Sequence, residues 1–343
     1  MKSADVVIVG AGGDGPAAAM RLGQFGVDVL VLEAGPWHGN EEWPNPHEEP
    51  GGELSGSTDD LSGELLEQQW TKREQEMAGK LRWGPADYDR GAWRRQGTVL
   101  STIAGVGGTT LHYTGCHPRA YPSAIDDGFP IDYADLVPYY REVEDRLNVT
   151  PAPTTHKEEL YYQGCRGEYD LLTSKNVDST GYRPQPNALL RPDDRLRHDG
   201  DYDGGFTAAD GMDGDTLAGV ETVGNPHPVG ADYENKAKRS SNVGFVPPAL
   251  ETGNVRIRPN AFVTDVHTES VMGTPQATGV TYRDTWDGTT ERVDADVVVL
   301  AAGAIETPRL WLNSDLPSNE WVGKGMTLHY GDAVIGLWEE KEL

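Results

Sequence analysis

Apolar and polar positions change rhythm several times along the chain, and each change predicts an element. Residues 5–9, Asp-Val-Val-Ile-Val, form a short β-branched run, which predicts a buried strand. Residues 16–25 are alanine-rich with apolar positions at helical spacing. Pro16 suits a first helical position, where no backbone donor is needed. Residues 28–32, Asp-Val-Leu-Val-Leu, predict a second strand ending at Glu33. The three segments make a βαβ unit. From 36 to 100 the rhythm is lost: Gly, Pro, Glu and Trp are frequent, and only 61–80 reads as a helix. Residues 133–147 predict an amphipathic helix with Asp132 as its cap. Residues 150–240 are polar, with Asp-Gly clusters at 199–215, and read as a loop-rich insertion carrying a few short strands or forming a lid. Order returns near 255. Val255–Ile257 and Ala261–Val266 predict strands, and Thr278–Asp284 and Thr289–Val293 flank the hairpin signal Asp287-Gly288. Residues 296–300 predict another fully buried strand, running through Ala301-Ala302-Gly303-Ala304 into a helix at 305–313. There is no internal repeat or coiled coil.

Composition narrows the class. A chain of 343 residues can bury a core without disulfides, and Cys116 and Cys165 make neither a disulfide framework nor a CxxC zinc site. No run of about 18 apolar residues is present, so no transmembrane helix is expected. The N-terminus enters a strand at once, leaving no room for a signal peptide, and the expected location is cytoplasmic. The formal net charge is −26, from 29 Lys+Arg against 55 Asp+Glu. A polyanion is repelled by nucleic acid and by anionic membrane, so neither is an expected partner. Of the 29 cations only 9 are lysine, and the carboxylates are scattered. This fits adaptation to a saline cytoplasm of the haloarchaeal kind, where salt screens self-repulsion.

Three segments carry candidate chemistry. The first is Gly10-x-Gly12-Gly13-x-Gly15, between a strand and a helix. A pyrophosphate needs backbone N–H donors and a helix N-terminus with no Cβ in the way. Glu33 follows Gly10 by 23 positions, at the end of the second strand, where a carboxylate accepts hydrogen bonds from ribose hydroxyls. FAD and NAD share this fingerprint. The second segment is the loop from Gly105 to Gly115, with Gly107, Gly108, Thr109, His112 and Thr114. Its paired glycines let backbone lie against a planar ring; read alone, it is equally a flexible loop. In the third, the strand ending at Ala302-Gly303 brings its backbone toward a second part of the same dinucleotide; read alone, it is also a plain core βα unit.

Together these segments resemble the glucose-methanol-choline (GMC) flavoprotein oxidoreductases. Val-Ile-Val-Gly-Ala-Gly-Gly-Asp-Gly, with Leu32-Glu33-Ala34-Gly35, is similar to the family's ADP-binding start. Gly303-Ala304-x-x-Thr307-Pro308-x-Leu310 is similar to its second signature, from which Trp311 and Ser314-Asp315 depart. Val322-Gly323 through His329 and Phe129-Pro130 through Tyr140 also resemble family stretches. The 101–115 loop looks most like the sugar-oxidising branch, with pyranose oxidase and the gluconate and fructose dehydrogenase flavoprotein subunits. Leu111-His112-Tyr113-Thr114 places His112 where pyranose oxidase joins a histidine covalently to flavin; many relatives keep the histidine without the bond. Ala237-Lys238-Arg239-Ser240 matches a gluconate-type stretch, but the cysteines that usually precede it are missing from 225–236.

The resemblance implies an α/β fold. A discontinuous Rossmann-like FAD-binding domain is expected from 1–35, 100–118 and 255–315, and an insertion with a partial α+β substrate domain from 119–254 and 316–343. It implies FAD as cofactor, held by Gly10, Gly12, Gly13, Gly15, Glu33, Ala34, Gly107, Gly108, Thr109, His112, Thr114, Gly115, Val263, Ala302 and Gly303. Backbone N–H groups near 107–112 are placed to stabilise negative charge on the reduced ring. The implied reaction oxidises the CH–OH group of a sugar, polyol or other alcohol, and electrons leave to O₂, a quinone or a partner protein. Family members are much longer and carry the catalytic histidine near their C-terminus. The chain therefore reads as a fragment or a shortened member. No residue is assigned as base, and His329 is expected to line a cavity or support structure. Two alternatives stay open: a flavin-binding fragment without turnover, and a two-dinucleotide flavoprotein using NAD(P)H, for which no second GxGxxG is present.

Overall fold

The computed structural model describes residues 3–37, 40, 42–43, 104–111, 113, 115–151, 159, 162–164, 166, 174–175, 186–188 and 239–325. The expected helix at 61–80, the clusters at 199–215 and His329 lie outside the described residues. Contacts divide the chain into two compact units. The first holds 1–112, 229–233 and 240–326; the second holds 113–228, 234–239 and 327–343.

In the first unit the βαβ pattern is realised as β1 (Ser3–Val9), α1 (Gly15–Gln24) and β2 (Val29–Leu32). Short helices α4 (Ser241–Gly244) and α5 (Val246–Glu251) lead into β5 (Val255–Arg258). Then come β6 (Ala261–Val271), β7 (Thr274–Asp284), β8 (Thr290–Leu300) and α6 (Gly303–Asn313). The six strands form one sheet in the order β5-β2-β1-β8-β7-β6. β1, β2, β5 and β8 are mutually parallel neighbours, while β6, β7 and β8 form an antiparallel meander. This is a mixed α/β architecture built on a predominantly parallel core.

The β-branched runs of β1 and β2 lie at its centre. Val7, Ile8, Val29, Leu30, Val31 and Leu32 are fully buried, as expected of parallel strands covered on both faces. The side chains of Val7, Val9, Leu30 and Leu32 join Val263, Val266, Val280, Tyr282, Val293 and Leu310 in one apolar cluster.

Three expectations change. The run 296–300, expected to be fully buried, has Asp296 and Val297 exposed and Val298, Val299 and Leu300 half-buried. The strands predicted at 289–293 and 296–300 are a single strand. Its first half pairs antiparallel with β7, from Thr290↔Arg283 to Asp294↔Gly279, and from Asp294 onward it pairs parallel with β1. The polar Asp294-Ala-Asp296 stretch reads as an interruption, yet both aspartates sit at exposed positions of a continuous strand. Likewise β6 runs past Val266 to Val271, because the polar His267-Thr-Glu-Ser stretch pairs with β7 as an exposed extension. The hairpin at Asp287-Gly288 forms. Asp284 Oδ1 accepts from the amides of Trp286 and Asp287, and Asp287 Oδ1 accepts from the amide and hydroxyl of Thr289.

The second unit contains α2 (Pro122–Asp126), α3 (Tyr133–Arg146) and the short antiparallel pair β3 (Val149–Pro151) and β4 (Pro186–Ala188). Asp132 occupies the cap position of α3, but its side chain makes no cap bond. Asp126, on the preceding helix, accepts instead from the Tyr133 amide at 2.7 Å. A tertiary neighbour has replaced the local cap. Arg119 and Glu144 form a two-point ion pair with the guanidinium over the Tyr140 ring, 5.5 Å from its centroid. Tyr113 donates to the Arg239 carbonyl, and its hydroxyl lies 3.1 Å from His117 Nε2, with the two rings edge to face. Burial pushes the His117 imidazole below its ordinary value, and the nearby Glu144 pulls it partly back.

Two outcomes follow from this packing. Leu30→Ala deletes a side chain held within the main cluster and should destabilise the first unit by about 2–5 kcal/mol. The check is a lower urea midpoint with little change in slope. For His117, the folded value is depressed below the unfolded one. The stability it lends is therefore present above the ordinary histidine value and lost as pH falls through the lowered folded value. His117→Gln should show a smaller drop in melting temperature than the parent chain between pH ~7.5 and ~5.

Candidate functional site

The carboxyl ends of β1, β2, β5 and β8 are held level by backbone bonds just beyond each strand. Gly10 N–H donates to Leu32 O at 2.8 Å, Ala301 N–H to Val9 O at 2.8 Å, and Glu33 N–H to Arg258 O at 2.9 Å. Ligands of open parallel sheets bind outside these ends. Here the loop glycines divide into two kinds. A Cβ on Gly10 would lie 2.4 Å from the Ala301 carbonyl oxygen, and one on Gly15 would lie 1.9 Å from the Gly10 oxygen. Both positions need glycine for packing within the protein. Gly12 and Gly13 differ. Their φ values are not positive, and a Cβ would approach nothing nearer than the Gly108 Cα at 3.9 Å and the Thr110 methyl at 3.6 Å respectively. The fold leaves an open cradle there that a side chain would fill.

α1 begins beside this cradle. Asp14 is its cap residue but makes no side-chain cap bond. The first-turn amides have no intrahelical acceptor, so this donor set suits an external anion such as a pyrophosphate.

A second loop lies against the first. Val106 N–H donates to Pro36 O at 3.0 Å, and Gly107 N–H donates to Ala11 O at 2.8 Å. Gly107 and Gly108 have φ of +112° and +53°, and a Cβ on Gly108 would lie 2.6 Å from Gly12 Cα. Residues 108–111 form a 3-10 turn, with Leu111 fully buried and Thr109 exposed. The described part of the loop is thus pinned by its backbone rather than free. On the third side, a Cβ on Gly10 would approach Ala302 Cα to 3.0 Å. Ala302 N–H donates to Thr307 Oγ1 at 3.1 Å, and Gly303 turns there with φ +80° in open space.

Glu33 joins these pieces. It is 5% exposed. Its Oε2 accepts from the Ala11 amide at 2.7 Å, and its Oε1 accepts from the amides of Gly35 at 2.9 Å and Gly105 at 2.8 Å. Burial pushes its carboxyl up, and the amides of Gly35, Ala11, Gly105 and Ala34 pull it back. Ala34 follows directly at a half-buried position.

The structure therefore gathers Gly10, Gly12, Gly13, Gly15, Glu33, Ala34, Gly107, Gly108, Thr109, Ala302 and Gly303 around the ends of the parallel strands. Val263 is placed otherwise: its side chain is in the apolar cluster, opposite Tyr282. Gly115 belongs to the second unit, where its carbonyl accepts from the Ala188 amide at 2.7 Å. His112 and Thr114 lie outside the described residues.

The sequence reading overlooked Thr110, Ser241 and Asn242. Ser241 N–H donates to Thr110 Oγ1 at 3.0 Å, while Thr110 donates to Gly107 O at 2.5 Å. The Ser241 hydroxyl sits 3.5 Å from Gly13 O. Asn242 Oδ1 accepts from the Ser240 hydroxyl and would be 3.3 Å from a Cβ on Gly107. The available signal was Ser240-Ser241-Asn242, three cap-forming residues in a row before an apolar helix start.

Comparison with known proteins gives a consistent picture. Residues 210–331 match the family model described as GMC oxidoreductase. The chain is 27% identical over 336 residues to a 2-methyl-1,2-propanediol dehydrogenase of Mycolicibacterium austroafricanum, covering 90% of this chain and 50% of that protein. It is 25% identical over 324 residues to an oxygen-dependent choline dehydrogenase of Staphylococcus aureus (strain JH9), covering 94% of this chain and 48% of that protein. The chain spans about half the length of these curated relatives. Among the described residues, no helix is long and apolar enough to cross a membrane, and no group of three or more His, Cys, Asp or Glu could hold a metal ion. The chain is thus similar to GMC oxidoreductases over residues 210–331 and to these two dehydrogenases over most of its length.

Proposed function

We propose that the chain is the FAD-holding part of an oxidoreductase that oxidises the CH–OH group of a sugar, polyol or other alcohol. The observation that carries the cofactor assignment is the open cradle at Gly12 and Gly13. Glycine stands at two positions where the fold itself has room for a side chain, directly before a helix whose first-turn amides lack a cap. A diphosphate explains both features. The support for an alcohol substrate is the GMC match and the two relatives, one named for a diol and one for choline. The sugar or polyol class rests on the 101–115 loop.

In this reading the residues divide the work. Gly12, Gly13 and the start of α1 receive the diphosphate. Gly107, Gly108 and Thr109 present backbone to the flavin end. Ala302 and Gly303 close the third side. By resemblance in sequence, His112 is the residue suited to a covalent link to the flavin. When bound, the flavin supplies the two-electron acceptor, taking hydride from the alcohol carbon at N5. The protein's part is to hold donors against developing negative charge and exclude water. The proton of the alcohol hydroxyl needs a base, and no described residue is assigned that task. The electrons would pass from the bound cofactor to O₂, a quinone or a partner protein.

The test uses the chain purified in molar salt. Bound FAD should give flavin absorbance bands and be bleached anaerobically by a sugar or polyol. Bleaching by NADPH without alcohol would overturn this reading in favour of a nicotinamide-using flavoprotein. Retained flavin that no alcohol bleaches would limit the chain to cofactor binding. Two substitutions separate binding from folding. Gly12→Ala should keep the circular dichroism spectrum and melting temperature while weakening FAD retention at least ~10-fold, because the added methyl fills the cradle. Gly15→Ala should lower stability by several kcal/mol with or without FAD, because its Cβ collides with the Gly10 carbonyl. Full FAD retention by Gly12→Ala would sink the cradle assignment.

A further inference from the structure

Thr110 stands half-buried in the 3-10 turn, where the second loop meets both the glycine turn and the start of α4. A threonine hydroxyl has one proton to donate and lone pairs with which to accept. Here Oγ1 donates to Gly107 O at 2.5 Å, beside the bond from the Thr110 amide to the same carbonyl at 3.2 Å, and it accepts from Ser241 N–H at 3.0 Å. Ser241 is 2% exposed and opens α4, where a first-turn amide has no partner within its own helix. Thr110 thus supplies the acceptor that a buried amide needs. Two contacts run on from this pair to the cradle. The Ser241 hydroxyl approaches Gly13 O at 3.5 Å, and a Cβ on Gly13 would meet the Thr110 methyl at 3.6 Å. The other end of the turn is closely packed. Gly107 has φ +112°, and a Cβ there would lie 2.7 Å from the Leu111 side chain and 3.3 Å from Asn242 Oδ1.

We propose that Thr110 is a positioning residue: its hydroxyl latches the 107–111 loop to the start of α4, and the latch carries occupation of the cradle at Gly12 and Gly13 to that loop. The latch stands on hydrogen-bond geometry. What it transmits rests on the function proposed above, in which the cradle takes the diphosphate and the loop faces the flavin. A chain of hydrogen bonds and packed side chains is one physical carrier of such coupling. The two arms of the threonine separate the roles. Thr110→Val keeps a methyl toward Gly13 but removes the hydroxyl, so Ser241 N–H loses its acceptor. Thr110→Ser keeps the hydroxyl and removes the methyl.

Amide hydrogen–deuterium exchange on the full chain, first without cofactor, reads the latch. In Thr110→Val, exchange across 107–111 and 241–244 should accelerate about tenfold or more, with β6 and β7 unchanged, while Thr110→Ser exchanges as the parent does. Parent-like exchange in Thr110→Val, or exchange in Thr110→Ser as fast as in Thr110→Val, would overturn the proposal. If Thr110→Val does not fold by circular dichroism, Ser241→Pro takes its place, judged on 107–111 with the same expectation and the same overturning result. It deletes the donor at a first helical position, where proline is tolerated, after an extended Ser240 with φ −128° and ψ 175°. A second arm adds saturating ADP, which carries the diphosphate and no flavin. ADP should slow exchange at 10–15 in all three proteins, but slow 107–111 only in the parent and Thr110→Ser. A residue that merely supports folding would leave the ADP effect on 107–111 intact in Thr110→Val. That result, or no slowing of 107–111 in the parent chain, would overturn the transmission. If the parent chain binds neither ADP nor FAD, the cradle reading fails and the transmission with it, and exchange in the empty protein still decides the latch.

Discussion

One buried carboxylate and a set of main-chain hydrogen bonds tie together the segments at the strand ends. Glu33 is charged chemistry placed where water does not reach, and an unpaired charge there would be strongly unfavourable. It is tolerated because three backbone amides converge on its two oxygens. Those amides belong to separate segments, so one carboxylate joins the first glycine turn, the end of β2 and the second loop. Backbone donors also do what side chains could not. They bring main chain against main chain, and that closeness is why glycines flank every contact.

The close approach sorts the glycines. Gly10 and Gly15 are required by neighbouring carbonyls, whatever the protein binds. Gly12 and Gly13 are not required by anything in the fold, which makes them the informative pair. A motif spelled with four glycines thus contains two different statements, one about packing and one about a ligand. The sheet has a similar double character. β8 closes the meander with its first half and joins the parallel core with its second, so the antiparallel hairpins and the parallel strands share one cluster of apolar side chains.

Charge is handled by arginine. Each recorded ion pair among the described residues is made by an arginine, including Arg258–Asp284, which is the least exposed and has Trp43 stacked 4.2 Å from the guanidinium. A planar fork holds a carboxylate with less loss of freedom per bond than a lysine does. In a chain with 20 arginines and 9 lysines, the cations present are the type best suited to fixed pairs.

The burial read into 296–300 did not hold, since Val297 is 49% exposed, whereas local pattern alone determined the βαβ start, the hairpin at Asp287-Gly288 and the helix after Ala301. In each case the signal lies within a dozen residues and reflects burial periodicity or turn chemistry. The glycine fingerprint was legible for the same reason. Tertiary structure decided the rest. Glu33 found Gly105, Ser241 found Thr110 131 positions away, and Asp126 rather than Asp132 capped its helix. Val263 has its side chain in the apolar cluster with Val266, Val280 and Tyr282. Two predicted strands became one because partners on either edge supplied hydrogen bonds across a polar stretch. Spacing along a chain records which residues can share a face. Which acceptor a buried amide finally meets depends on segments brought together only by folding.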